Sequence, residues 1–207
     1  MNERGVGAIA RWTASEGGLS SSTLTAGGSD RFGRMLAHVI SSLPHDPDAA
    51  WIVATTLGPV AADSAATPPT AGAVARSVAA AMRHRGEVDV VNAGALTVAM
   101  ALVDLCARPR SMPVVVAFVD VATASYDGAA VALRVDVGAE GGVGIGRPIR
   151  RELDDTWSLD AGLAAHPLAP ALVLADRLRA RVSGWLALQA IAGADGRRWC
   201  VELTGAG

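Results

Sequence analysis

The sequence predicts one layered α/β domain built on a mostly parallel sheet. Three observations carry that reading. Residues 113–120 form a continuous apolar run that ends in Asp120, which is the composition of a strand covered on both faces. Helical periodicity alternates with short β-branched runs over the first 137 residues, in the order β-α-β-α-β-α-β-β. Such alternation calls for parallel pairing and right-handed crossovers. The 207 residues are 51% hydrophobic but only 4% aromatic, so the core is built from Ala, Val and Leu and suits close layers.

Each element has its own signal. Residues 6–12 are a short apolar run and a first strand. Residues 17–29, rich in Gly, Ser and Thr, read as a loop. Ser29 or Asp30 caps a helix over 31–43, in which Phe32, Met35, Leu36, Val39, Ile40 and Leu43 recur at helical spacing. Pro44 and Pro47 stop it. Residues 51–56 are a strand. Thr70 opens a helix to about Arg85, closed by Gly86 at the C′ position, with Val74, Val78 and Met82 along its apolar line. Val88–Val91 is a short strand. Residues 94–107 form a helix apolar nearly all round, expected to be the most buried of the fold. Ala129–Val137 is a further strand. Residues 138–155 then read as a glycine-rich and charged connector. Residues 156–207 supply a helix (167–182) and a β-hairpin (185–192 and 198–203) turning at Ala194-Asp195-Gly196. These pack on the same domain, so residues 1–207 form a single unit.

Charge and composition exclude several functions. The formal charge is −2, which offers no electrostatic footprint for nucleic acid. All 18 basic residues are arginine, so no lysine Schiff base or P-loop lysine is available. Cys106 and Cys200 are too few for a disulfide framework or a zinc site, and Cys106 is expected as a small buried hydrophobe. No apolar leader and no 18-residue apolar stretch is present, so a cytoplasmic protein without a membrane span is expected. The glycines of 141–146 lack both the spacing and the following helix of a nucleotide loop. No cofactor or metal is called for. Among the histidines, His38 sits inside the first helix and His84 in the last turn of the second, where a histidine complements the dipole. His45 lies in a proline turn, and His166 at a helix start is kept as a site candidate. The adjacent Asp154 and Asp155 read as a solvated cap or turn.

The most informative stretch is 88–120. A short strand runs into Asn92-Ala93-Gly94-Ala95 and then into an apolar helix. A sharp strand-to-helix junction presents its residue at a helix N-terminus, where nucleophiles are often placed. Asn92 stands there. Its amide can cap the helix, but it cannot accept an acyl group as a thiolate does.

This segment resembles the thiolase/ketosynthase superfamily. In that family the strand ends in a cysteine, followed by a small-residue helix start, an alanine-rich helix and a strand ending near aspartate. Here the matching run is Asn92-Ala93-Gly94-Ala95-Leu96-Thr97, then Asp104-Leu105, then residues 114–120. Asp30-Arg31-Phe32-Gly33-Arg34-Met35 is similar to a helix of the chain-length factors of aryl polyene-type pathways. Trp51 to Gly58, Tyr126 to Leu133 and His166 to Leu172 resemble further stretches of the family. The resemblance implies a short, amino-terminal-half type of thiolase-like domain in which Asn92 occupies the degenerate nucleophile position. It also implies that the histidines of a second half are missing, because the chain is expected to end before such a half fits.

Two functions follow from the resemblance. The first is a non-catalytic, chain-length-factor-like pseudoenzyme that partners a β-ketoacyl synthase in polyene, polyketide or fatty-acid-like biosynthesis. Its partner would be a full-length ketosynthase in a heterodimer, or a second copy in a homodimer, with acyl carrier protein met indirectly. Val88, Val90, Leu96, Met100 and Val103 would form the dimer interface. The second is a stand-alone acyl- or small-ligand-binding protein or enzyme on the same fold, with Asn92, His166 and Asp127 as the pocket residues.

Overall fold

Two apolar sets alternate along each central strand, and that alternation decides the architecture. In a strand, successive side chains point to opposite faces, so a strand apolar at every position must be covered on both sides. The computed structural model describes residues 4–13, 31–56, 58, 69–109, 111–121, 128–137, 143–153, 166–189 and 191–205. Its elements run β1 (Arg4–Thr13), α1 (Arg31–Ser41), β2 (Ala50–Ala54), α2 (Ala71–Ala81) and β3 (Val88–Val91). A 3₁₀ turn (Gly94–Leu96) then leads into α3 (Thr97–Ala107), β4 (Val114–Asp120) and β5 (Ala129–Val137). The rest is β6 (Gly144–Ile145), β7 (Ile149–Arg151), α4 (Ala169–Arg179), β8 (Gly184–Ala187) and β9 (Arg198–Thr204).

Among the described residues one sheet of nine strands holds the molecule together, in the order β3-β2-β4-β5-β1-β6-β9-β8, with β7 on the same side of β9 as β6. Pairing is parallel across β3-β2-β4, where helical crossovers join the strands. Beyond β4 it is antiparallel, through β5, β1 and the C-terminal strands. The expected layered α/β fold is present, with its parallel part at the β3 end. Val114, Val116 and Phe118 of β4 face α3 and α4, together with Ile52 and Leu133. Val115, Ala117 and Val119 face α1 and α2, together with Trp51, Val53, Phe32, Leu36 and Val78. The result is three layers, helices over both faces of the sheet.

Several expectations are corrected here. Helix α4 is more enclosed than α3: residues Ala169 to Ala175 and Leu178 are all buried, whereas α3 leaves Met100, Val103, Asp104 and Cys106 partly exposed. The reason is position, since α4 lies over β1 and β5 in mid-sheet, whereas α3 lies over β2 and β4 beside the β3 edge. Cys106 is accordingly half-buried. Helix α2 ends at Ala81, well before Gly86. Arg83 takes the left-handed C′ conformation at φ 55°, and the His84 N–H donates to the Ala79 carbonyl at 2.9 Å. Helix α4 ends in the same way, with Arg181 at φ 53°. The connector expected over 138–155 contributes two short strands, β6 and β7, which pair with β9. The hairpin turn forms as expected, with Gly196 at φ 72° and Arg150 paired to Asp195 at 2.7 Å. The loop over 17–29, its capping residues Ser29 and Asp30, and Asp154-Asp155 lie outside the described residues.

Candidate functional site

Parallel β2, β3 and β4 end on the same side of the sheet, and in open α/β sheets ligands bind outside those carboxyl ends. Three sequence positions meet there. Strand β2 runs out into Thr55-Thr56, β3 into Asn92, and β4 ends in Asp120. Asp120 is fully buried. Its Oδ1 accepts the Thr55 hydroxyl at 2.7 Å and the Thr56 N–H at 2.9 Å, and its Oδ2 accepts the Thr56 hydroxyl. The Thr55 Oγ1 also accepts the Gly58 N–H at 2.8 Å. Across the next strand, the Thr55 N–H donates to the Val91 carbonyl at 3.0 Å.

The same network fixes the start of α3. Thr97 Oγ1 accepts the Ala93 N–H at 3.0 Å and donates to the Thr55 carbonyl at 3.3 Å. Thr97 thus ties the junction to β2, while the helix cap expected of Asn92 is not formed: no side chain caps the 3₁₀ turn or α3. Asn92 is exposed, on the outer side of the junction. Gly94 supplies the left-handed residue that the turn needs, at φ 53° and with open space around it.

The hydrogen bonds that frame this junction include neither of the other pocket candidates. His166 is 3% exposed and its Nδ1 accepts the Leu168 N–H at 2.9 Å, so it helps to start α4. Asp127 lies outside the described residues. Among the described residues no group of three or more His, Cys, Asp or Glu is placed to hold a metal ion.

Beside this junction lies β3, which among the described residues pairs with β2 alone and so forms an edge of the sheet. Val88 and Val90 are half-buried and pack toward α2; Val91 and Met100 pack toward the α3 core. Leu96 is 36% exposed, and Val103 is half-buried. Leu96, Met100 and Val103 follow one another at helical spacing, so they form one outward stripe. Below them Arg108 binds Glu87 at 2.6 Å, Asp89, and Asp104 at 3.5 Å. Burial pulls the Arg108 guanidinium down, but Asp89, Asp104 and Glu87 together outweigh it and hold it above its ordinary value.

His84 is not a dipole-complementing residue of α2. Its ring stacks on Trp51, with centroids 4.1 Å apart and planes at 23°. Both ring nitrogens are buried without a well-formed hydrogen bond among the described residues. Burial lowers its pKa and His45 adds to that, while the Glu87 backbone, Asp46 and Asp48 oppose it in part. A depressed histidine pKa means that the unfolded chain takes up the proton first. Stability is therefore full above the ordinary value of 6.5 and falls as the pH drops through it. Melting temperatures followed from neutral to mildly acidic pH should fall for the wild type. His84→Phe, which keeps the stack, should fall less; an unchanged acid response would show that His84 is not its source.

Comparison with known proteins isolates the fold. No family model matches the chain, and no curated protein matches it. Among solved structures, a chain of the ketosynthase ApeO in complex with its chain-length factor ApeC, from Xenorhabdus doucetiae, superposes with a TM-score of 0.59. That match covers 98% of this chain and 100% of the other, at 13% identity. The chain has a thiolase/ketosynthase-like fold. An HMG-CoA synthase complexed with CoA also matches, at TM-score 0.46 and 14% identity over 77% of this chain and 49% of that one. So does the priming β-ketosynthase of the R1128 polyketide pathway, at TM-score 0.42 and 15% identity over 73% and 54%. This chain thus spans about half the length of those two condensing enzymes.

The sequence pointed to the junction through Asn92 but missed Thr55, Thr56 and Thr97 as its frame. One signal was available: a carboxylate closing an otherwise apolar strand must find donors, and two threonines follow the neighbouring strand.

Proposed function

We propose that this thiolase-like chain is a non-catalytic partner subunit of a β-ketoacyl synthase, docking through β3 and α3. The observation that carries the proposal is the contrast between the two ends of the sheet. At the far end, β8 is four residues long, with Leu186 and Ala187 buried and the Arg151 guanidinium 4.1 Å over the Trp185 ring. At the near end, β3 presents Val-Asp-Val-Val beside exposed Leu96 and half-exposed Met100 and Val103. An apolar edge left open in this way favours a protein partner. Among the described residues no helix is long and apolar enough to cross a membrane. The likeness to a chain of a ketosynthase–chain-length factor complex supports a ketosynthase as that partner. On the sequence resemblance, the reading extends to polyene, polyketide or fatty-acid-like biosynthesis.

Asn92 supports the non-catalytic half of the proposal. A carboxamide at the strand-to-helix junction has no lone pair nucleophilic enough to form an acyl-enzyme. Incubation with acyl- or malonyl-loaded carrier protein, followed by intact-mass spectrometry, is expected to leave the chain at its unmodified mass. Asn92→Cys alone is expected to restore no condensation. A covalent acyl adduct on the wild-type chain would overturn the non-catalytic reading.

A further inference from the structure

The β3 edge carries an acidic collar that bears on which partner it accepts. Glu87, Asp89 and Asp104 gather around the single guanidinium of Arg108. The cation is the inner member: its side chain is 12% exposed, against 71% for Glu87 and 53% for Asp89. Among the described residues three carboxylates therefore share one arginine, and Glu87 and Asp89 face outward. The nearby Asp48–Arg85 pair, at 2.8 Å, balances itself and offsets none of this excess.

A two-fold pair of identical chains places the same patch on both sides of its interface. Pairing β3 with its own copy would bring two such collars together, and like charges across paired strands destabilise the pair. A strand edge flanked by basic residues would meet the collar favourably instead. We infer that Glu87, Asp89 and Asp104 select a different chain with a basic docking edge and disfavour pairing of β3 with a second copy of this one. The inference rests on the reading of β3 and α3 as the docking face.

The test uses the full chain. Sedimentation equilibrium is run on wild type and on Glu87→Gln/Asp89→Asn at about 50 mM and about 500 mM salt, between which the Debye length shrinks several-fold. The wild type is expected to self-associate about tenfold more weakly than the double variant at low salt, with the gap closing at high salt. Two extended peptides serve as partner probes, one alternating valine with arginine and one alternating valine with glutamate. The basic peptide is expected to bind at low salt and the acidic one not. Equal self-association of the two proteins at both salts, or equal binding of the two peptides, overturns the selectivity. Leu96→Glu separates this from the underlying reading: it should abolish peptide binding and self-association of the double variant. If Leu96→Glu changes neither, the docking face itself is misplaced.

Discussion

Asp120→Ala is expected to lower folding stability by about 3–4 kcal/mol, because it strands three buried donors at once. These are the Thr55 hydroxyl, the Thr56 hydroxyl and the Thr56 N–H. Water cannot reach them cheaply, since Asp120, Thr55 and Thr56 are all buried. The damage should spread, because Thr55 also holds Gly58, Thr97 and the end of β3. Asp120→Asn tests the mechanism. It keeps an oxygen for two of the donors and asks only the Thr56 hydroxyl to turn from donor to acceptor. Its cost should be nearer about 1 kcal/mol. Urea unfolding of both variants gives the comparison. Equal losses would mean that the carboxyl matters for something other than these hydrogen bonds.

Gly86→Ala is expected to cost about 2–3 kcal/mol by overpacking against rigid backbone. A Cβ there would lie 2.1 Å from the Ala49 carbonyl oxygen and 3.0 Å from that of Asp48. The contact cannot relax by a rotamer change, since both neighbours are main chain. Nor can the turn swing away, because Arg85 and Gly86 both donate to the Pro47 carbonyl, at 2.7 and 3.1 Å. Gly94→Ala is the control. Its position has left-handed φ but nothing within 4 Å of the new Cβ, so only conformational strain of about 1 kcal/mol applies. If the two variants are equally stable, close approach at Gly86 is not what the residue provides.

How much of this was legible in the sequence depends on how local each determinant is. The bounds of β3 and β5 follow from runs of Val and Ala between polar or glycine breaks, and the structure has the same bounds. Helix α1 follows from Phe32, Met35, Leu36, Val39 and Ile40, all of which are buried. The helix ends were less legible, because left-handed Arg83 and Arg181 carry no glycine to mark them. Strands β6 and β7 were unreadable for another reason. Each is two or three residues long and exists only through partners distant in the chain: β9 pairs with both, and β1 pairs with β6 from the other side. The threonine frame around Asp120 likewise joins positions 64 and 65 residues apart. Only the fold brings such groups together. At the proposed docking edge the valines and Leu96 were legible as apolar, whereas the grouping of Glu87, Asp89 and Asp104 on Arg108 needed the packing of α3 beside β3.

The account turns on β3 and α3 as a face that binds a ketosynthase. Size-exclusion chromatography with light scattering measures this directly, on the chain co-expressed with a full ketosynthase from the same gene neighbourhood. The wild type is expected to elute as a one-to-one complex, and Met100→Glu, at a half-buried position on the outward stripe, to elute apart from the ketosynthase while remaining folded. A wild-type chain that elutes alone, or a Met100→Glu chain that still forms the complex, would contradict the account.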